Sequence, residues 1–157
     1  MIGFAGHSRV GILGALVGGS RSRSEGERHA ANARQLIQFV GLHMFENAPA
    51  SQLAYGHRRL VEIARALAVR PKVLLLDEPA AGLVVQEIEA LADVIRRLRD
   101  CGVTILLVEH HMDLIVSVSD RITVLDYGEV IAEGSPAAIQ KDPRVVTAYL
   151  GKSRAAA

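Results

Sequence analysis

The sequence predicts an α/β fold with a mainly parallel sheet, and three observations point to it. Residues 73–76 (Val-Leu-Leu-Leu) and 103–108 are continuously apolar, the pattern of strands buried on both faces of a parallel sheet. Between them, Ile88, Leu91, Ala92, Ile95 and Leu98 recur at helical spacing over 86–99, so a helix links one strand to the next. The alternation then repeats, with a short helix over 112–118 and a third strand over 121–125.

The remaining elements follow from local signals. Residues 1–25 carry Gly, Ser and Arg with little periodicity and are expected to be irregular. A helix is predicted over 27–40, with Ala33, Leu36, Ile37 and Val40 on one face and Gly41 as its stop. After a loop containing Pro49, a second helix is predicted over 56–69, ending before Pro71. Tyr127-Gly128-Glu129 forms a turn into Val130-Ile131-Ala132, a hairpin partner for the third strand, and two small helices start near Pro136 and Pro143. There is no internal repeat and no low-complexity tract.

Composition narrows the function. The 157 residues are 50 % hydrophobic and 22 % charged, ordinary for a globular domain with a real core. Aromatics are 4 %, so Val, Ile, Leu and Ala must build that core. A net charge of +1 points to neither nucleic acid nor acidic lipid. The single Cys101 cannot form an internal disulfide, which fits a reducing compartment. The longest apolar runs are strand-sized, far short of the ~20 residues a membrane helix needs, so no direct membrane insertion is expected. Residues 11–17 resemble a weak signal-peptide core, but Arg21 and Arg23 follow that stretch instead of preceding it.

The strongest motif is Val73-Leu74-Leu75-Leu76-Asp77-Glu78-Pro79. Two carboxylates stand at the carboxyl end of a buried strand, where α/β sheets place ligands. Mg-nucleotide hydrolysis uses one carboxylate to hold the hydrated metal and another to orient the attacking water. The plain alternative is an acidic strand-to-loop junction that merely stays solvated. Upstream lies Leu53-Ala54-Tyr55-Gly56-His57-Arg58-Arg59-Leu60, leading into a helix. Gly56 would let backbone approach a phosphate, and the helix would offer its N-terminal N–H groups to the anion.

Together the two segments resemble the signature and Walker B motifs of ABC transporter ATPases, a partial P-loop NTPase fold. Tyr55-Gly56 followed by His57-Arg58-Arg59 resembles the branched-chain amino-acid importer group. The resemblance spans about 27–151 and implies residues 1–70 as a helical subdomain and 71–157 as the C-terminal part of the RecA-like core. It implies ATP and Mg2+ as cofactors, with Asp77 holding Mg2+ through water and Glu78 and His110 as catalytic residues. Leu53, Ala54, Tyr55, Gly56 and His57 would meet the nucleotide of a second ATPase subunit. The group commonly has serine where Ala54 stands. Ala81, Gly82 and Leu83 resemble the D-loop, where subunits touch, although Val84 and Val85 replace the usual polar residue and proline. Transmembrane permease subunits are the other implied partners, and the implied location is cytoplasmic, on the inner face of the plasma membrane.

His110, just past the second buried strand, matches the family's switch histidine, and His111 stands where the group often has Asp. A metal site is not expected there, because adjacent side chains should diverge and no third ligand has metal-like spacing. His7, His29 and His43 are expected to be plain surface residues. The phosphate loop Gly-x-x-x-x-Gly-Lys-Ser/Thr is missing. Residues 14–19 have its glycine spacing but are followed by Ser20, and Gly151-Lys152-Ser153 has its ending but Val146 in place of the first glycine. The chain is therefore expected to be N-terminally truncated, marginal in stability and unable to bind ATP tightly alone. Two other functions fit the same residues: a non-enzymatic remnant or module lending its signature loop to an intact partner, and an ATPase of the lipopolysaccharide-export type.

Overall fold

A helix, α1 (Ser20–Phe39), opens the part of the chain that this computed structural model describes, residues 20–150. It starts at Ser20 instead of residue 27, so residues 20–25, expected to be irregular, are its first turns. They contain no Gly or Pro, and extending a formed helix costs little. The rest of the N-terminal expectation, with the glycines at 14–19, lies outside the described residues, as does Gly151-Lys152-Ser153. Gly41 ends the helix at φ +82°: its N–H donates to Gln38 O (3.0 Å), and Leu42 N–H donates to Ile37 O (2.9 Å). This pair is a Schellman cap, and it turns Val40 and Leu42 inward.

Two 3-10 turns, His43–Phe45 and Ala50–Gln52, lead to α2 (Tyr55–Leu67). Its buried residues Gly56, Leu60, Ile63, Ala64 and Leu67 recur at helical spacing on one face. Arg70, at φ +52° ahead of Pro71, breaks the backbone away from helix.

The chain then forms a βαβ unit. β1 (Val73–Asp77) pairs with parallel β2 (Thr104–Val108), joined by α3 (Val85–Asp100). Helix α3 buries Leu91, Ala92, Val94, Ile95 and Leu98. It ends in a second Schellman cap at Gly102 (φ +83°), with Val103 N–H donating to Leu98 O at 3.1 Å. One expectation fails here. The strands are not buried on both faces: Leu74 and Leu76 are interior, but Val73, Leu75, Leu106 and Val108 are more than half exposed. A crossover helix covers one face of its sheet, and covering the other takes a further layer.

By contact density the chain divides into two compact units, one ending at Leu106 and the other starting at Leu107. The second contains α4 (Met112–Val118) and the antiparallel hairpin of β3 (Ile122–Asp126) and β4 (Glu129–Gly134). Tyr127 (φ +47°) and Gly128 (φ +83°) form its two-residue turn, both in the left-handed region that a type I′ turn requires. Ile122, Val124 and Ala132 from the hairpin pack with Ile139 of α5 (Pro136–Ile139) and Val145 of α6 (Pro143–Val145). A π-helical turn, Val146–Leu150, follows, and Tyr149 Oη donates to Leu125 O at 2.7 Å.

On the hairpin surface Glu133 accepts from Arg121 Nε and Thr123 Oγ1, both at 3.1 Å. The Arg121 hydrogen bond, then that of Thr123, holds the Glu133 carboxyl below its usual range. A depressed carboxylate pKa supports folding above the unfolded value and loses that support as pH falls through the folded value. Carboxyl NMR titration should therefore place Glu133 below a free glutamate, with Arg121→Gln moving it upward.

The burial pattern makes a second prediction. Leu91→Ala should cost about 2–5 kcal/mol in urea unfolding, because Leu91 is wholly buried. Leu75→Ala should change stability by no more than about 0.5 kcal/mol, because Leu75 is 69 % exposed.

Candidate functional site

β1 ends at Asp77, whose carboxylate shares the exposed face with Val73 and Leu75. Glu78 leaves the strand at φ +41°, a left-handed conformation uncommon for a residue with a Cβ. The left-handed residue ends the strand's alternation, so two adjacent exposed carboxylates meet at the strand end. Ala81 N–H closes the turn onto Glu78 O at 3.1 Å, and Ala80 at its centre is fully buried.

The segment leading into α2 lies close to that turn. Leu53 is buried, and Ala54 is the N-cap of α2 with φ −56°, ψ 157° and no side-chain hydrogen bond. Tyr55, with the guanidinium groups of Arg58 and Arg59 each 5.8 Å from its ring centroid, lies against Gly82. A Cβ at Gly82 would come 3.3 Å from Tyr55 Cε1, and the glycine's φ of +75° disfavours a side chain in any case. Gly56 is closer still: a Cβ there would fall on the carboxylate end of Glu87. Glu87 Oε2 accepts the Val84 N–H at 3.1 Å and so caps the start of α3. The structure thus brings Tyr55, Gly56, Gly82 and Glu87 together. His57 is drawn aside, its ring packed at a tilt against Phe45 with centroids 4.6 Å apart. Ala81 and Leu83 are half-buried in the loop around Gly82.

His110 lies just after β2, in the second unit, and is exposed. Beneath it the Glu109 side chain has no solvent exposure. Glu109 Oε2 accepts the backbone N–H of His110 (2.7 Å) and of His111 (3.1 Å). His111 Nδ1 lies 3.0 Å from the same oxygen and His110 Nδ1 3.6 Å from it. The expectation that adjacent histidine side chains diverge is corrected: the ring centroids are 4.5 Å apart, because one carboxylate draws both rings toward it.

Comparison with known proteins shows the family. The ABC transporter family model matches residues 8–81, and that of the branched-chain amino acid ATP-binding cassette transporter matches 129–155. The high-affinity branched-chain amino acid transport ATP-binding protein BraF of Pseudomonas aeruginosa is 44 % identical over 134 residues, 85 % of this chain and 51 % of BraF. This chain belongs to the ABC transporter ATP-binding family. LivG of Escherichia coli, with the same descriptive name, is 43 % identical over the same shares. The crystal structure of the ADP conformation of MJ1267, an ATP-binding cassette of an ABC transporter, superimposes with a TM-score of 0.72 at 31 % identity, covering 79 % of this chain and 50 % of MJ1267. The ABC ATPase class of the fold is thereby shown. The chain spans about half the length of the curated relatives it matches.

Two residues of this ABC chain escaped the sequence analysis. Glu87 lies three residues after the N-cap, the place of a capping-box glutamate, but Val84 has no side-chain oxygen to complete the signal. Glu109 reads as one more charge at a strand end, and its folding back beneath two histidines has no sequence signature. The missing cap at Ala54 yields a prediction: Ala54→Ser should supply a side-chain acceptor at the start of α2 and stabilise the chain by about 1 kcal/mol in urea unfolding.

Proposed function

We propose that this chain is the signature-bearing part of an ABC importer ATPase. It closes an ATP site on a second ATPase subunit and serves a permease for branched-chain amino acids at the cytoplasmic face of the plasma membrane. One observation carries this: Leu53–Gly56 enter the N-terminus of α2, and that helix leads into β1, which ends at Asp77 with Glu78 just beyond it. The C-terminal match to the branched-chain model, together with BraF and LivG, favours this cargo over lipopolysaccharide export. No helix among the described residues is long and apolar enough to cross a membrane, so contact with the permease would be peripheral. Residues 1–70 form the helical subdomain in this scheme and 71–157 the RecA-like core.

The donor set at the end of β1 fits a hydrated Mg2+, since hard cations of this kind take exposed carboxylates through their waters. When bound, Mg2+ would neutralise charge on the β- and γ-phosphate oxygens. In a subunit that held its own nucleotide, Asp77 would hold the metal's water ligands, Glu78 would orient the attacking water and His110 would contact the γ-phosphate. The 157 residues contain no Gly-x-x-x-x-Gly-Lys-Ser/Thr sequence with which to cradle an ATP. A phosphate loop supplies several donors and a lysine, and losing even one preorganised donor to a reacting oxyanion costs about 2.7–4 kcal/mol. What the chain offers is the N-terminus of α2, whose free N–H groups and dipole suit the γ-phosphate of a nucleotide held by the other subunit. The Glu87 carboxylate beside Gly56 must swing aside for that anion to approach.

The 157-residue chain alone should show no Mg-ATP hydrolysis above background in a phosphate-release assay. Mixed with a full-length ATPase of the same group whose own signature loop is disabled, it should restore turnover. Gly56→Asp should abolish that rescue, whereas Glu78→Gln should leave it intact, because the chain's own site holds no nucleotide. Absence of rescue by the parent chain would favour a non-enzymatic remnant. Equal loss in both variants would overturn the assignment of roles.

A further inference from the structure

We infer that Glu109, His110 and His111 form a binding site for a divalent transition-metal ion, with Zn2+ the best fit. The three side chains each offer one ligand atom, and these atoms lie within 4.8 Å of one another. Zn2+ held tetrahedrally at ~2.0–2.1 Å places its ligand atoms about 3.3 Å apart. His111 Nδ1 and His110 Nδ1 lie 3.0 and 3.6 Å from Glu109 Oε2, on either side of that value. The spacing is thus already close to a tetrahedral set, and small rotations about the two histidine χ2 angles complete it.

The surroundings favour binding. The carboxylate is fully shielded from water, whereas the His111 and His110 side chains are 36 % and 57 % exposed. A metal therefore enters from solvent past the rings and meets an anion that has no hydration shell to shed. The N–H groups of His110 and His111 hold Glu109 Oε2 at 2.7 and 3.1 Å, so the carboxylate is fixed in place and an incoming metal displaces one of these bonds to reach that oxygen. The 3.0 Å contact of His111 Nδ1 with Glu109 fits an Nδ1–H donor in the metal-free chain. Binding moves that proton to Nε2, on the solvent side, which frees the Nδ1 lone pair without releasing a proton overall. Two imidazole nitrogens and one carboxylate leave a fourth position for water, a donor set that suits Zn2+ better than Mg2+.

The three residues are other than Asp77, to which the hydrated Mg2+ is assigned, and the proposal stands whether or not the chain serves a transporter.

The test is a Zn2+ titration of the full chain against a chromogenic zinc indicator, with Co2+ absorption spectra as a second readout. Saturable binding of one ion per chain is expected, with Co2+ giving the intense visible bands of a tetrahedral site. His111→Ala and His110→Ala, both at exposed positions, should each weaken binding at least tenfold. Glu109→Gln should do the same, with circular dichroism checking that the buried substitution leaves the chain folded. His29→Ala and His43→Ala should leave binding unchanged. Failure to saturate at millimolar Zn2+, or binding that survives His111→Ala undiminished, would overturn the proposal.

Discussion

The first unit depends on burying its apolar side chains, among them Leu74 and Leu76 of β1 and Leu91, Val94, Ile95 and Leu98 of α3. Burying side chains of this size is worth roughly 1.5–3 kcal/mol each, and these residues sit at both ends of the crossover that carries the site. The buried pair in β1 fixes the strand, so its last residue brings a carboxylate to a defined edge. The α3 stripe fixes that helix, and with it the turn that holds Gly82 and Glu87. Because the crossover supplies one helical layer, the opposite face of the strand pair remains apolar and exposed at Val73, Leu75 and Leu106.

That framework explains why small residues line the approach to the site. Gly56 and Gly82 are not interchangeable spacers: the first makes room for the Glu87 carboxylate, the second for the Tyr55 ring in a backbone conformation with positive φ. Glu87 links the starts of two helices, capping α3 through Val84 N–H while lying beside the second residue of α2. A negative charge at either helix start is favourable by the dipole, so the arrangement stabilises the chain when no anion is present. The same charge would oppose a phosphate approaching this loop, so in the proposed role Glu87 would have to move.

Much of this was legible in the sequence. The α3 stripe, the second helix, both strands of the crossover and the Tyr127-Gly128 hairpin appear where periodicity and turn chemistry put them, because each is set by local pattern. The apolar runs at 73–76 and 103–108 did not reveal which faces are covered, since a strand cannot report the helices packed on it. The first helix starts at Ser20, ahead of its predicted start at residue 27, because helix propagation does not require a buried face. Asp77, Glu78 and the signature segment stood out by residue type and order. Glu87 and Glu109 did not, as their roles arise from where long side chains fold back. The pairing of His110 and His111 on one carboxylate reversed an expectation based on adjacency alone.

The central claim is that the α2 N-terminus recognises a nucleotide held by another subunit. Analytical ultracentrifugation of the chain with a hydrolysis-deficient full-length ATPase of the same group tests it most directly. The account predicts a mixed complex with Mg-ATP that dissociates when ADP replaces ATP and does not form with Gly56→Asp. A complex that forms equally well without nucleotide, or no complex at saturating ATP, would contradict it.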